Sequence, residues 1–289
     1  MAESEDRVLQ VSCAQMQWAG NLEDNLETTL AFIAEAKARG SDVVVFPEAN
    51  LTGYDFEYVE TLRAEQVRAA VAATARAAGE AGIYAIVCSL QKRGRGKYLN
   101  LAHVVDPEGR VCYEYAKIQM AGPGESQHCR PGNKLALFSV KGHLCTLAIC
   151  RDGRHPEVYR VPAMAGAKVL FHPCCSSGTA EGVTWKRLAG RAQQTVGPTT
   201  YIYHCVANTV GQSRDGNLTS SGMSFITDPT GITLTEASWY QEELVTARLS
   251  LDRATARYPR ASMRHPKVFQ RLWKEAVAIC RKHAADPVR

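Results

Sequence analysis

No stretch of this 289-residue chain is apolar for long enough to cross a bilayer as a helix, which takes about 20 residues. The N-terminus, MAESEDRVLQVS, is acidic and lacks the apolar core of a secretory signal, so a cytoplasmic protein with no membrane partner is expected. Charge of neither sign dominates: 34 basic and 29 acidic residues leave a net charge of +5. The basic residues are scattered, except for Lys92, Arg93, Arg95 and Lys97. These fall between two strand-like segments and read as a solvated hairpin tip, so no nucleic-acid partner is expected. Repeats, low-complexity tracts and linkers are missing, and with them any natural domain boundary. Zinc-ribbon spacing is missing too. Neither Cys145 with Cys150 nor the adjacent Cys174 and Cys175, with His172 nearby, has it, so no metal and no other cofactor is expected.

What is present is ordinary globular composition, 45% hydrophobic and 22% charged, enough for a full core. Ten cysteines are spread along the chain, and Cys13, Cys88, Cys145 and Cys205 lie inside strand-like runs. That pattern reads as reduced, buried thiols rather than a disulfide framework. Residues 8–16 alternate as a strand; 21–40 carry Leu22, Leu26, Leu30, Ile33 and Ala34 at helical spacing, with Gly40 placed to end the helix. The continuous apolar centre of 41–47 fits a strand covered on both faces. A helix is expected at 63–79, a strand at 83–90, and an antiparallel pair at 98–105 and 110–115 around Pro107-Glu108-Gly109. After a Gly/Pro-rich loop at 121–133, strands are expected at 135–140, 143–149, 168–172 and 200–208, with helices at 156–166 and 185–196. Late strands at 222–227, 232–237 and 243–249 precede a polar, helical tail. The fold class is α/β: one mixed sheet, or two packed sheets, with helices outside.

One stretch, residues 144–157, reads LCTLAICRDGRHPE. An apolar run stops at Cys150, and Pro156-Glu157 opens an amphipathic segment, so the thiol sits at a bend between strand and helix. Backbone N–H groups at such a bend favour a thiolate and can hold an oxyanion. Taken alone, a cysteine is more often a small buried hydrophobe. Two other groups share its position, however. Glu48 follows VVVFP and Lys117 follows YEYA, each at the downstream end of an expected strand, where open α/β sheets collect their ligands. A thiol nucleophile, a desolvated carboxylate base and an ammonium facing a developing oxyanion make an acyl-transfer set that needs neither histidine nor metal.

With these residues in view, the chain resembles the nitrilase superfamily of carbon–nitrogen hydrolases, whose signature is a Glu-Lys-Cys triad. The matching segments are VVVFPEANLTGY, YAKIQM and LAICRDGRHPEVYR. Further likeness lies in AGAKVLFHP, RAQQTVGPTTYIYHCVANTVG, GMSFITDPTG and RHPKVF. The resemblance implies an αββα sandwich formed by one domain over 1–289, with its core at about 8–269 and a tail at 270–289. It also implies a homodimer or a higher homo-oligomer. On the matching positions it makes Glu48 the general base, Lys117 the cation that stabilises the intermediate, and Cys150 the covalent nucleophile. Glu125, eight positions after the lysine, becomes a second glutamate that orients substrate or lysine; read without the family it is a solvated loop carboxylate. The Arg151 backbone N–H is a candidate oxyanion donor.

The substrate expected from the resemblance is a small amide or a carbamoyl compound. True nitrilases carry Cys-Trp-Glu, and Cys150-Arg151-Asp152 departs from that, which points to an amidase-like branch. Arg151 either pairs with a substrate carboxylate, suiting an N-carbamoyl amino acid or an ω-amide of a dicarboxylic acid, or sits against an acidic residue at a subunit interface. Tyr54, which closes VVVFPEANLTGY, is an expected substrate contact, together with His172 and Cys175 beyond the next strand. The last two either touch substrate or pack beneath the site. Two rivals remain: a non-catalytic binding or assembly subunit, and a thiol redox sensor, for which Cys145 is placed on the wrong side of its strand.

Overall fold

The computed structural model describes residues 7–17, 20–94, 96–188 and 195–283. The alternating run β1 (Val8–Gln17) is followed by α1 (Leu22–Ala38), capped by the Asn21 side chain, which accepts from the backbone N–H groups of Glu23 and Asp24. Gly40, just past the end of α1, has φ +72°, the left-handed conformation that glycine adopts without strain. Three valines form β2 (Val43–Val45), buried on both faces. Then come α2 (Phe56–Thr61), α3 (Ala64–Ala81), β3 (Tyr84–Lys92), β4 (Tyr98–Val105) and β5 (Val111–Ala116). Next are α4 (Pro123–His128), β6 (Phe138–Val140), β7 (His143–Leu147), a 3₁₀ turn at Cys150–Arg154, α5 (Pro156–Met164) and β8 (Val169–Pro173). The short β9 (Ser177–Gly178) precedes α6 (Ala180–Leu188) and α7 (Val196–Thr200). The chain closes with β10 (Tyr203–Ala207), β11 (Thr209–Val210), β12 (Thr219–Ser220), β13 (Phe225–Thr227), β14 (Thr233–Glu236), β15 (Glu243–Ser250), α8 (Arg257–Ser262) and α9 (Pro266–His283).

Apart from β9 and β12, which pair antiparallel as a two-stranded ribbon, these strands form two mixed sheets. The first has the order β11-β1-β2-β3-β4-β5, with β15 also pairing along β1; the second has the order β14-β13-β10-β8-β7-β6. Leu9, Val11, Ile86 and Val104 of the first sheet meet Leu147, Phe171, Cys205 and Ile226 of the second in one apolar cluster. On the far side of the first sheet, Val44 and Val87 pack with Ile33 of α1 and Val71 of α3. On the far side of the second, Leu170 packs with Val158 and Tyr159 of α5 and Val196 of α7. The layers are therefore helix, sheet, sheet, helix: an αββα sandwich, the two-sheet form of the expected architecture.

Strand direction positions the site. β1, β2 and β3 run parallel, while β4 is antiparallel to β3 and β5 antiparallel to β4. β5 thus points the same way as β2, and Glu48 and Lys117 leave their strands at the same edge. In the second sheet β7, β8 and β10 are parallel, so Cys150, Cys174 and Cys175 share an edge as well.

Several expected boundaries shift. The loop at 121–133 contains α4, which Pro123 opens with its fixed φ and no N–H to leave unpaired. The helix expected at 185–196 begins at Ala180, and α7 is a separate element. Residues 189–194, which include the start of RAQQTVGPTT, lie outside the described residues, as does Arg95. Tyr201, at φ +57°, ends α7 and delays the following strand to Tyr203. The tail is helical, but not uniformly polar: Val268, Leu272, Trp273 and Ile279 of α9 are exposed.

One glycine tests the packing of α3 on the β4–β5 turn. A Cβ on Gly79 would lie 2.9 Å from the backbone N and Cα of Gly109. Gly79→Ala, ordinarily helpful inside a helix, is therefore expected to destabilise the protein by about 1–3 kcal/mol, read as a lower urea midpoint at unchanged slope.

Candidate active site

Lys117 is the centre of the site. Its side chain is fully buried, and its Nζ donates to Glu48 Oε1 at 2.6 Å and to Glu125 Oε2 at 2.9 Å. The carboxylates are held in turn. Asn100 Nδ2 donates to Glu48 Oε1 at 2.8 Å and to Glu125 Oε1 at 3.1 Å. The Cys175 backbone N–H donates to Glu48 Oε2, and that of Ala121 to Glu125 Oε2. Burial pushes the Glu48 carboxyl well above the ordinary carboxylate range, the charge on Cys150 adds to this, and Lys117 opposes it. Burial works against the Lys117 ammonium, but the negative charges of Glu48, Cys150 and Glu125 overcome it and its pKa is raised.

Cys150 is at the start of the 3₁₀ turn with φ +45°, a conformation that a non-glycine residue keeps only when its surroundings impose it. Two buried side chains do so. Asp152 accepts four hydrogen bonds: Oδ2 from the Ile149 N–H at 3.0 Å and the Tyr115 hydroxyl at 2.8 Å, Oδ1 from the N–H groups of Ile118 and Gln119. It thereby ties the cysteine turn to the segment just after Lys117. His172 Nε2 donates to the Cys150 carbonyl oxygen at 3.0 Å, which leaves Nδ1 to accept from His204 Nε2 at 2.9 Å. Burial lowers the His172 pKa and favours this neutral ring. The ring lies so close to Gly153 that a Cβ there would be 2.3 Å from His172 Cε1. The Cys150 thiol packs on Cys174 and Val206. The hydrogen bond from the Cys174 thiol pulls the Cys150 pKa well below its ordinary value, the Lys117 ammonium helps, and burial opposes both.

These groups open into one cavity of about 390 Å³, lined by Glu48, Tyr54, Glu125, Cys150, Arg151, Arg154, Cys175 and Lys186 among others. Tyr54 forms part of the wall, with Lys117 Nζ 5.7 Å from its ring centre. Arg151 reaches the Ala121 carbonyl through a long 3.4 Å contact, and Lys186 donates to the Ser177 carbonyl at 2.7 Å. Burial lowers the Lys186 pKa, and the guanidinium charges of Arg154 and Arg151 add to the effect. A larger cavity, about 730 Å³, lies on the outer face of the first sheet. Beside it Ser89 is hydrogen-bonded to His103 Nε2, and His103 Nδ1 lies 2.9 Å from Glu114 Oε1, but Ser89 is fully buried and does not line the cavity.

Of the eight expected site residues, Glu48, Tyr54, Glu125, Cys150, Arg151 and Cys175 meet at the cavity, and Lys117 lies directly behind its wall. His172 is not among the lining residues; it packs beneath the cysteine turn as a support. Sequence reasoning missed Asn100, Asp152 and Lys186, and placed Cys174 at the strand end facing the pocket without giving it a role of its own. An asparagine inside the strand YLNLAHVV was a usable signal, because asparagine is disfavoured in strands and must be satisfied when buried. Lys186 carried no signal of its own.

The chain belongs to the carbon–nitrogen hydrolase family, whose model matches residues 10–258. It is 28% identical over 248 residues to the 2-oxoglutaramate amidase of Bacillus subtilis (strain 168), covering 83% of this chain and 90% of that one. Identity to the N-carbamoylputrescine amidase of Arabidopsis thaliana is 25% over 269 residues, 86% of this chain and 89% of that one. The crystal structure of an amidase from Nesterenkonia sp. superposes with a TM-score of 0.74 at 26% identity, covering 85% of this chain and 92% of that one.

A lowered thiol pKa shifts the thiolate limb toward acid. Iodoacetamide is therefore expected to alkylate Cys150 at a pH where the exposed Cys112, whose pKa is raised by burial of its sulfur and by Asp106, stays unmodified. Peptide mapping across a pH series reads this; equal labelling of the two at acidic pH would refute it.

Proposed function

We propose that this protein is an amidase that hydrolyses the ω-amide of a small dicarboxylic acid through a Cys150 thioester. The observation that carries the reading is Lys117 clamped between Glu48 and Glu125 behind the wall of a cavity lined by Cys150, Arg151, Arg154 and Lys186. Glu48 takes the thiol proton and Cys150 attacks the amide carbonyl. The Lys117 ammonium and the Arg151 backbone N–H receive the oxyanion. Glu48 returns the proton to the leaving nitrogen, ammonia departs, and water activated by the same carboxylate cleaves the thioester. Glu125 and Asn100 hold the lysine and the base in place and touch no reacting bond.

The three cations select the acyl group. A substrate carboxylate at the far end of the chain from the amide would meet Arg151, Arg154 and Lys186, with guanidinium forks suited to carboxylate geometry. The name of the Bacillus relative describes such a substrate, a molecule with an amide at one end and a carboxylate at the other. The plant relatives' N-carbamoylputrescine carries an ammonium group instead, and like charges a few ångströms apart inside a cavity repel by several kcal/mol. An N-carbamoyl amino acid retains the carboxylate and is the second reading. A non-catalytic subunit has no use for a buried ion cluster set against a strained cysteine turn.

The ten free thiols support a reducing, cytoplasmic setting, and the shared inter-sheet core supports one domain over 1–289. A homodimer or higher homo-oligomer fits the exposed apolar stripe of α9.

Cys150→Ala is expected to abolish ammonia release while leaving the far-ultraviolet spectrum and melting temperature close to those of the parent; persisting turnover refutes the assignment. In Glu48→Gln the acyl-enzyme is expected to accumulate as a mass adduct on Cys150. For the substrate class, Arg154→Gln and Lys186→Gln should each raise KM for an ω-amide of a dicarboxylic acid about tenfold, worth about 1.4 kcal/mol, with little change for a neutral short amide. An equal change for both substrates would argue against carboxylate recognition.

A further inference from the structure

The redox partner weighed from sequence alone was Cys145, and the structure removes it. Cys145 pairs with Val169 along β7 and β8 and points into the core between the sheets. The same register identifies another thiol. Cys145, Thr146 and Leu147 face Val169, Leu170 and Phe171 in parallel, a constant offset along the two strands. Beyond the strand ends the cysteine turn folds back over the end of β8, where Cys174 follows Pro173. The contacts agree: the Ala148 N–H donates to the Phe171 carbonyl, His172 Nε2 donates to the Cys150 carbonyl, and Cys150 packs against the cluster that Cys174 forms with Val206 and Phe225. A disulfide needs Cα atoms about 4.4–6.8 Å apart, a separation compatible with side chains packed in one cluster. Cys175, one residue on, is engaged with Thr209 instead. Cys150 opens to the cavity, whereas Cys174 is almost wholly buried behind it.

We propose that Cys150 and Cys174 form a reversible disulfide when the protein meets a hydroperoxide, closing the nucleophile and shielding it from irreversible oxidation. The inference rests on the reading of Cys150 as the reactive thiol. In the first step the Cys150 thiolate attacks the outer oxygen of the hydroperoxide. Its O–O bond breaks, Cys150 becomes a sulfenic acid, and the peroxide leaves as an alcohol or as water after taking up a proton. In the second step the Cys174 sulfur attacks the sulfenic sulfur. The S–O bond breaks, and the hydroxyl departs with the Cys174 proton as water. Two equivalents of an external thiol reverse the bond and leave as their own disulfide. Substrate and disulfide compete for one sulfur, so a bound acyl group excludes oxidation.

The test treats the full-length protein with hydrogen peroxide, follows ammonia release, and reads intact mass and peptide maps before and after dithiothreitol. Each variant is normalised to its own untreated rate, because Cys174 touches the nucleophile. The parent is expected to lose most of its activity and two hydrogens of mass, to yield a linked Cys150–Cys174 peptide, and to recover with dithiothreitol. Cys174→Ser is expected to lose activity without recovery and to gain two oxygens on Cys150. A link from Cys150 to Cys175, or recovery of Cys174→Ser equal to that of the parent, overturns the proposal. So does oxygen addition to Cys150 without a link in the parent, a measurement that needs no variant. Untreated protein that neither releases ammonia nor alkylates at Cys150 would instead sink the reading of the nucleophile. Protein that does both but never forms the link sinks only the disulfide.

Discussion

The buried ammonium of Lys117 is the constraint on which the site depends. A lone charge at that depth costs several kcal/mol, so it must be compensated by groups that reach it without bending away. Two carboxylates do this and leave an excess of one negative charge among Glu48, Lys117 and Glu125. A thiolate at Cys150 would then be a second uncompensated charge unless a proton were retained nearby. Glu48 is pushed upward, first by burial and then by the charge on Cys150, while Cys150 is drawn downward, first by Cys174 and then by Lys117, directions that suit proton transfer from thiol to carboxylate. A thiol and a carboxyl that exchange a proton at constant total charge are what a thioester mechanism requires, since the base must collect that proton and later return it. Asn100 contributes by donating to both carboxylates, which fixes their separation around the ammonium.

That cluster can assemble because of how the chain is threaded. Glu48, Lys117 and Cys150 are far apart in sequence, and they come from strands in two different sheets. They converge because β2 and β5 run in one direction in the first sheet, while β7 and β8 end at the facing edge of the second. The valine-rich inter-sheet core holds those edges together, so the site is built on the buried core of the molecule. The outer helices complete burial of the sheets.

The cysteine turn is held from beneath rather than from the cavity. Asp152 gathers four donors from two segments, and the His204–His172 pair delivers a proton donor to the carbonyl of Cys150 itself. Gly153 is needed where the imidazole of His172 leaves no room for a Cβ. The strained φ of Cys150 is thus supported by polar groups that substrate never meets. Arg151 and Arg154 lie in the same 3₁₀ turn as Cys150, so one scaffold positions both the thiol and the two guanidinium groups at the cavity.

Much of this was legible before any coordinates. Alternating and continuous apolar runs marked the strands, Asn21 and Gly40 marked the ends of α1, and the residues following VVVFP, YEYA and TLAI marked a shared edge. Where the prediction of secondary structure failed, the competing effect was local: Pro123 started a helix inside a loop, and Tyr201 in the left-handed conformation postponed a strand. The family resemblance covered the triad and Glu125, because short motifs carry the residues that do chemistry. What only the tertiary structure decided was which side chains would face them. Asn100 and Asp152 matter through partners distant in sequence, Cys174 and Lys186 through the site they join, and of the two readings open for His172 it took the support beneath Cys150. Linear sequence determines which backbone conformations and apolar faces are favoured, since those depend on neighbours a few residues away. The pairing of buried charges is determined by strand order and register, and those are set only when two sheets close on a common core.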